Sequence, residues 1–358
     1  TVRLVSSVGL GLIRDRSFWI GLLPPVLLGA VAWAVGQAFP VLGAPVVAIL
    51  LGLVVGQFAG QRPEWARGVT FCAKKVLQTS IVLLGAGMSL AQVAQIGGAG
   101  LPVMVGTIVV AVAVGIPLSR KLKVERETRI LVTYGTSICG ASAIATMSQV
   151  IGAGGGPVAV AIAVIVLYNV LGAIVFPFLG QAMHLDFSSF GLWAGTAIND
   201  ASSVVAASTS FDTQMAAAGF VAAGMSAAAY AVVVKLTRTL MIVPLALFQQ
   251  WFGNRILPPE QRTYTVWWRL IPPFLVWFLV AAAARSFGFI PEAWGATVSF
   301  LANFGTTVAM AAVGMTSSLT AIKQAGWRPV ALGGILWVLI ALTSLGLQAL
   351  TGQLHTLP

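Results

Sequence analysis

The chain has 358 residues, of which 58% are hydrophobic and only 8% are charged, and its mean hydropathy is +0.95. Soluble domains carry about 25% charged residues, so the composition excludes a soluble globular protein and indicates an all-α polytopic membrane protein. The net charge of +11 does not predict nucleic-acid binding, because the basic residues lie at the ends of apolar segments and form no solvated face. We expect a single transmembrane domain over residues 1–358.

Eleven apolar segments follow a lead-in at residues 1–18, which contains three arginines and is expected to be cytoplasmic. A membrane-spanning helix needs about 20 residues, and most of the segments fit that length. The segment at 215–250 is too long for one upright helix and contains Pro244, so we expect it to be kinked, strongly tilted or in two pieces. The sequence therefore predicts about 11 transmembrane helices, near 18–36, 43–60, 69–90, 101–118, 130–150, 157–180, 190–209, 215–250, 269–286, 296–316 and 328–349.

Lysine and arginine are unevenly distributed among the loops between these segments. The loop at 120–129 is the densest basic cluster, and basic residues concentrate in cytoplasmic loops. The other basic loops fall on the same side in an eleven-span count, at 61–68, 251–268 and 317–327. The loops at the other side carry no lysine or arginine, at 37–42, 91–100, 151–156 and 210–214. The pattern predicts a cytoplasmic N-terminus and a C-terminus on the outer side of the membrane.

Two of the apolar segments contain versions of one motif. Gly-Thr-Ser-Ile-Cys-Gly-Ala-Ser-Ala at 135–143 returns in edited form as Gly-Thr-Ala-Ile-Asn-Asp-Ala-Ser-Ser at 195–203. Glycine and hydroxyl residues in the middle of such segments are tolerated only where protein buries them or water reaches them. A broken membrane helix whose half-helix N-terminus points inward is a ready anion site. The motifs therefore predict two discontinuous helices that together build a substrate site.

The candidate substrate ligands in the motifs are hydroxyl groups, one amide, and glycines that let backbone amides approach a ligand. They are Gly135, Thr136, Ser137, Gly140 and Ser142 in the first motif and Gly195, Thr196, Asn199, Ser202 and Ser203 in the second. For any single serine or threonine, a hydrogen bond to a carbonyl of its own helix is the more common alternative. The clustering of so many polar residues in two places favours a binding role.

Three charged residues accompany the motifs. Asp200 is the one carboxylate expected well inside the membrane, where a charge is costly and usually paired; it could couple a proton or a cation, cap a half-helix, or pair with a basic residue. Lys235 and Arg238 are three residues apart and share a helix face. They could attract an anion or pair with Asp200, and they could equally snorkel to the cytoplasmic surface, which we favour for Arg238. Asn169 is expected to form an interhelical hydrogen bond.

A second internal match links distant parts of the chain. Residues 87–89 (Gly-Met-Ser) match residues 314–316 (Gly-Met-Thr) at an offset of 227. This match predicts an inverted-topology repeat with arms at 43–118 and 269–349 around a motif-bearing core at 130–250. The two Gly-Thr motifs lie 60 residues apart, which does not follow that offset. Either one match is fortuitous, or one motif copy is a re-entrant segment that changes the number of crossings.

The motifs at 135–143 and 195–200, together with Lys235-Leu236-Thr237-Arg238 leading to Pro244, resemble those of the YeiH-type family of sulfate exporters. The resemblance covers essentially the whole chain and preserves the order of the motifs. It implies a multi-pass protein of the bacterial inner membrane with inverted repeats and crossing broken helices. The second motif of that family usually reads Ile-His-Asp, and this chain has Asn199 in place of the histidine. The amide can form hydrogen bonds but cannot be protonated, which puts proton coupling through this position in doubt.

The expected function is secondary transport of a small anion, such as sulfate or a related oxyanion or sulfonate, by alternating access. The alternatives are an anion channel whose pore is lined by the same polar breaks and a sodium- or proton-coupled carrier of another small organic solute. An enzyme is disfavoured because no nucleophile–base pair or metal-binding set is visible, and no cofactor is expected. The expected partners are the anion, the lipid bilayer and a second copy of the chain, since related carriers are often dimeric.

Overall fold

The computed structural model describes residues 16–40, 42–58, 62–222, 224–256 and 271–357. These residues are helical almost throughout, and the β-pairing among them is limited to an isolated bridge between Leu185 and Thr356. The expectation of an all-α membrane protein is confirmed. In the described ranges, seven helices rather than eleven are long and apolar enough to cross a membrane, at Ser17–Ala38, Pro63–Ala86, Leu90–Lys121, Gly155–Ala182, Ala227–Trp251, Gly295–Thr316 and Trp327–Leu350.

We number the helices in chain order. They are α1 (Arg16–Ala38), α2 (Ala44–Phe58), α3 (Pro63–Ala86, with a π-helical turn at Cys72–Val76), α4 (Leu90–Lys121), α5 (Arg126–Ser137), α6 (Ala141–Ile151), α7 (Gly155–Ala182), α8 (Phe187–Ala197), α9 (Ala201–Ala217), α10 (Ala227–Leu240), α11 (Ile242–Ile256), α12 (Pro273–Ser286), α13 (Gly295–Thr316), α14 (Leu319–Ala325) and α15 (Trp327–Leu350). The predicted segment at 215–250 is in separate pieces, because α9, α10 and α11 divide it. Residues 1–15 of the predicted lead-in lie outside the described residues.

The first motif lies in a helical hairpin. Three residues (138–140) separate α5 from α6. The carboxylate of Glu127, at the start of α5, accepts a hydrogen bond from the backbone N–H of Gly154, just beyond α6 (2.9 Å). Two collinear helices would place these residues roughly 40 Å apart at 1.5 Å per residue. We call this unit hairpin 1, and it enters and leaves at the end of the bundle that carries the loop at 120–129, here named the basic end.

The second motif lies in another hairpin, formed by α8 and α9. Phe190 on α8 and Phe211 on α9 stack with their ring centroids 3.8 Å apart, although the turn at 198–200 lies between them in the chain. The two helices therefore run antiparallel, side by side, as hairpin 2. The 28-residue helix α7, about 42 Å long at 1.5 Å per residue, leads from one hairpin to the other. Hairpin 2 consequently enters from the end of the bundle opposite to the basic end.

These hairpins correct the sequence prediction at two segments. Helix breaks at both motifs are confirmed, but the expectation that 130–150 and 190–209 each cross the membrane is wrong, because each segment returns to the end from which it starts. The re-entrant alternative applies to both copies of the motif. If each copy crossed the membrane fully, the one span between them would make both copies run in the same direction. Because both are hairpins, they enter from opposite ends instead.

The hairpins contact the remaining helices through several elements. The helices α5 and α8 pack against α4 and α15, and α9 packs against α2 and α13. The pair α2 and α13 makes the most extensive helix–helix contact among the described elements. It packs backbone against backbone at Gly52, where a Cβ atom would clash with the carbonyl oxygen of Ala311. The site described next lies where hairpin 1, hairpin 2 and α10 meet.

Candidate functional site at the tips of two hairpins

The turns of the two hairpins touch each other inside the bundle. A Cβ atom placed on Gly140 would lie 3.5 Å from the Cβ atom of Asp200 and 3.6 Å from the carbonyl carbon of Asn199. Residues 131–140 and 191–199 are buried throughout. The fold therefore brings the two motif copies together at one buried position, as the sequence predicts.

Lys235 of α10 connects the two tips. Its Nζ atom donates hydrogen bonds to the carbonyl oxygens of Ile138 (3.2 Å) and Ile198 (2.7 Å), directly after the ends of α5 and α8. The side chain is 1% exposed. The C-terminus of a helix carries unpaired carbonyls and a partial negative charge, so the ammonium stabilises both chain reversals at once. Two of its three N–H donors are used in this way.

Arg238 of α10 has a similar role, a single helical turn beyond Lys235. Its guanidinium donates to the carbonyl oxygens of Ser137 (2.9 Å from Nε) and Thr196, and to the hydroxyl of Thr107 (3.3 Å). Arg238 is 0% exposed, so the expectation that it snorkels to the membrane surface is wrong. Among the described residues, neither basic side chain of α10 forms an ion pair with Asp200, and backbone carbonyls take that place.

Asp200 caps the N-terminus of α9. Its carboxylate accepts hydrogen bonds from the backbone N–H of Ser202 (3.2 Å) and from the hydroxyl of the same residue. The side-chain oxygen of Asn169, on α7, accepts the backbone N–H of Asp200 (3.1 Å). The capping interpretation of Asp200 and the interhelical role of Asn169 are both confirmed. Ser202 is engaged in this cap.

The N-terminus of α6 has no such cap. Its N-cap residue is Gly140, which makes no side-chain hydrogen bond and has φ +68° and ψ −124°, a backbone conformation essentially restricted to glycine. The first bond inside the helix runs from the N–H of Ile144 to the carbonyl of Gly140 (3.1 Å), so the amides of 141–143 have no partner within the helix. The N–H of Ala143 donates to the sulfur of Cys139 in the turn, which leaves the amides of 141 and 142 open. Ala141 and Ser142 are exposed. Such an open helix N-terminus favours an anion.

Three of the predicted ligands carry buried polar atoms that lack a hydrogen-bond partner among the described residues. They are the hydroxyl of Thr136, both amide atoms of Asn199 and the hydroxyl of Ser203. Their exposed fractions are 2%, 1% and 1% respectively. An unsatisfied buried polar group costs about 1–3 kcal/mol, and in native proteins such groups usually bind ordered water or a ligand. These three residues are the best candidates for direct contact with a bound solute.

Two other predicted hydroxyls have structural partners. Ser137 donates to the carbonyl of Thr133 in its own helix (2.5 Å), which is the common alternative stated for such residues. Thr196 shares a hydrogen bond with Ser344 of α15 (2.6 Å). These hydroxyls stabilise the hairpins and are not available to a ligand in this conformation.

The first glycine of each motif permits close packing. A Cβ atom on Gly135 would lie 2.9 Å from the side chain of Ile144 across hairpin 1, and a Cβ atom on Gly195 would lie 2.8 Å from the side chain of Val234 on α10. These two glycines allow neighbouring helices to pack closely. This packing role explains their presence in the motif without any contact to a ligand.

Sequence reasoning missed several buried polar residues of the two hairpins. Thr133 on α5 and the run Ser208-Thr209-Ser210 on α9 are buried, and their hydroxyls also lack partners within the described ranges. Three consecutive hydroxyl residues at the end of a segment expected to cross the membrane were a visible signal. Ser210 packs against Gly43, directly before α2, where a Cβ atom would clash with its hydroxyl.

Apolar helices of membrane-spanning length, with two helical hairpins meeting tip to tip, define this protein as a polytopic membrane protein. A family model described as Conserved hypothetical protein 698 matches residues 20–333. The chain belongs to this family, and the match confirms the YeiH-type resemblance.

Named relatives agree with this assignment. The UPF0324 membrane protein spyM18_1033 of Streptococcus pyogenes serotype M18 (strain MGAS8232) is 39% identical over 340 residues, covering 93% of this chain and 97% of the relative. The UPF0324 membrane protein spr0034 of Streptococcus pneumoniae (strain ATCC BAA-255 / R6) is 36% identical over 336 residues, again covering 93% and 97%. Both are named as membrane proteins, which confirms the membrane location at that level.

Proposed function

We propose that the protein is a secondary transporter that carries a small anion, sulfate or a related oxyanion or sulfonate, across the bacterial inner membrane by alternating access. One observation carries the proposal: the uncapped N-terminus of α6 meets a second hairpin tip on which the buried amide of Asn199 has no partner among the described residues. Backbone N–H groups, an amide and hydroxyls are the donors that replace water around an anion.

The balance of charge at the tips also supports an anion. Each hairpin contributes one helix C-terminus and one helix N-terminus, whose partial charges of about −0.5 and +0.5 offset each other. The buried side chains Lys235 and Arg238 then stand against the single carboxylate of Asp200. With Lys235 protonated, the surplus of one positive charge favours an anionic solute, and the third N–H of Lys235 is a further donor for it.

We propose an orientation in which the basic end is cytoplasmic, following the distribution of lysine and arginine. Hairpin 1 then enters from the cytoplasm and hairpin 2 from the periplasm, with the N-terminus inside and the C-terminus outside. Entry from both faces is what alternating access to one buried site requires. The tips would be reached from one side at a time.

Both internal matches fit an inverted repeat under this proposal. The 60-residue offset pairs the two hairpins, which enter from opposite ends. The 227-residue offset pairs α4 with α15. The side chain of Gln353, just beyond α15, donates to the carbonyl of Ala99 near the start of α4 (3.1 Å), so α4 and α15 run in opposite directions. The two matches then describe different regions of one inverted architecture.

The test is sulfate uptake by proteoliposomes containing the purified protein. We expect uptake that saturates and is stimulated by sulfate trapped inside the vesicles. Thr136→Val and Asn199→Leu should abolish uptake while keeping or raising the melting temperature without solute, because each removes an unsatisfied buried polar group. The matched control is Thr307→Val, since Thr307 is buried and bonds to its own helix at Asn303 (2.9 Å); it should transport normally.

Normal transport by both site variants would overturn the site. A flux that neither saturates nor responds to trapped sulfate would instead support an anion channel. A thermal-shift screen against sulfate, sulfite, sulfonates, carboxylates and sodium identifies the solute class, because a ligand of the native state raises the melting temperature. A shift with sodium alone would favour the cation-coupled carrier of another solute.

A further inference from the structure

A second group of basic residues lies on α3, a helix that does not contribute to the hairpin tips. Arg67, Lys74 and Lys75 line an open cavity of about 470 Å³, and Phe18 and Phe71 contribute to its wall. No acidic residue is among the described residues that line it. The ammonium groups of Lys74 and Lys75 therefore make one side of the cavity positively charged, and the phenylalanine rings make the other side apolar.

The geometry of α3 places these groups together. Arg67, Phe71 and Lys75 are spaced four residues apart and share one helix face, and Lys74 and Lys75 lie in the π-helical turn Cys72–Val76. Such turns are rare and often mark functional sites. Both lysines are exposed. Within the described ranges, neither ammonium has a hydrogen-bond or ion-pair partner.

The position of the two lysines calls for an anionic partner at the edge of the hydrocarbon. They lie midway along Pro63–Ala86, a helix apolar and long enough to cross a membrane. An exposed charge there is costly unless its flexible side chain extends toward the headgroup level and reaches a counter-charge. The rings of Phe18 and Phe71 meet edge to face at 5.2 Å and offer apolar surface beside them. The start of α3 shares a second cavity with the end of α13, through Trp65 and Thr316.

We propose that this cavity binds the phosphate headgroup of an anionic phospholipid. The lysines would bind the phosphate, as basic pockets between membrane helices do, and the phenylalanine rings would pack against the start of the acyl chains. Free phosphate offers the same charge but gains nothing from the apolar wall, so the lipid is the occupant that uses both sides of the cavity. This site is separate from the hairpin tips and does not depend on which solute is transported.

Native mass spectrometry of the protein in detergent, with phosphatidylglycerol or phosphatidylcholine added, tests the proposal. We expect the wild type to retain phosphatidylglycerol in preference to phosphatidylcholine. Lys74→Gln combined with Lys75→Gln should weaken retention roughly 30-fold, from the usual contribution of basic residues near a membrane surface. Lys74→Arg with Lys75→Arg keeps both charges and should retain the lipid, which separates loss of binding from misfolding.

The matched control removes two charges elsewhere, with Lys323→Gln and Arg328→Gln, both exposed, and should leave retention unchanged. Equal loss in the control and the lysine variant would overturn a specific site. Displacement of the retained lipid by inorganic phosphate at comparable concentration would show a free-anion site and would also overturn the proposal. Sulfate transport in proteoliposomes is measured separately, so failure of the lipid site and failure of the proposed transport are distinguishable.

Discussion

The two hairpins share a motif and a construction, yet their tips end differently. In both, the carbonyls that end the first helix are held by buried cations of α10. In hairpin 2, Asp200 closes the N-terminus of the second helix. In hairpin 1 the corresponding position is Gly140, which has no side chain to do so. Hairpin 1 therefore presents the amides of 141 and 142 without a carboxylate beside them. Hairpin 2 presents a helix end whose carboxylate cap takes the N–H of Ser202, together with the amide of Asn199, which lacks a partner among the described residues.

This difference distinguishes residues that stabilise the helix break from residues that are free to bind a solute, which the sequence motif alone does not distinguish. The cap at Asp200 and the bonds of Lys235 and Arg238 make a broken backbone tolerable in an apolar bundle. The groups left without partners in the described ranges, at Thr136, Asn199 and the start of α6, are those that can serve a solute. Under the proposed function, different residues of one motif maintain the break and bind the solute.

The largest expected effect comes from the shared support of both tips. Arg238→Met would leave the carbonyls of Ser137 and Thr196 buried without donors, at about 1–3 kcal/mol each. We expect transport to be lost and the free energy of unfolding in detergent to fall by about 2–6 kcal/mol. Arg328→Met, at an exposed position on α15, should change stability by less than about 0.5 kcal/mol. Equal stability of the two variants would contradict the role assigned to Arg238.

An intermediate effect is expected at the turn of hairpin 1. Gly140→Ala forces a side chain into a conformation that costs about 1–3 kcal/mol and brings a Cβ atom to 3.1 Å from Ile165. Sulfate affinity, measured by thermal shift, should weaken because the amides of α6 are displaced. The control is Gly98→Ala on α4, where a Cβ atom meets nothing within 4 Å. A Gly140→Ala protein with unchanged affinity would show that the turn of hairpin 1 does not hold the solute.

The smallest effect is expected at the cap of hairpin 2. Asp200→Ala should lower the free energy of unfolding by about 1 kcal/mol, whereas Asp200→Asn should cost little because asparagine caps equally well. Chemical denaturation measures both. If Asp200 acts only as a cap, Asp200→Asn should also keep sulfate uptake. Loss of uptake in the asparagine variant, with stability retained, would instead assign the carboxylate charge a role in coupling.

Much of the fold could be predicted because membrane helices are specified by composition. Apolar segments and polar breaks are local properties, so the helices and the interruptions at 138–140 and 198–200 follow from the sequence. The number of helices that cross the membrane could not be predicted from composition. An apolar segment of about 20 residues fits either one spanning helix or a hairpin of two short helices, and the choice depends on contacts such as Glu127 with Gly154.

The position of the candidate site could be predicted from the sequence, but the separate roles of its residues could not. Thr136 and Thr196 occupy the same position in the two motifs, yet the hydroxyl of Thr136 has no partner among the described residues and that of Thr196 is bound to Ser344. That difference arises from α15, which is far away in the chain. Arg238 was assigned to the surface for a similar reason, since its carbonyl partners come from hairpins that the sequence does not reveal as hairpins.

The ammonium group of Lys235 has a mechanical consequence. It donates a hydrogen bond to one carbonyl from each hairpin (3.2 and 2.7 Å). Moving either tip away alone would break one of these two hydrogen bonds and leave the buried charge less well compensated. A gate that opens by swinging one hairpin aside is therefore energetically unfavourable. If the protein is the proposed transporter, the two tips and α10 should therefore move together, and a solute held between them would pass from one face to the other with that unit.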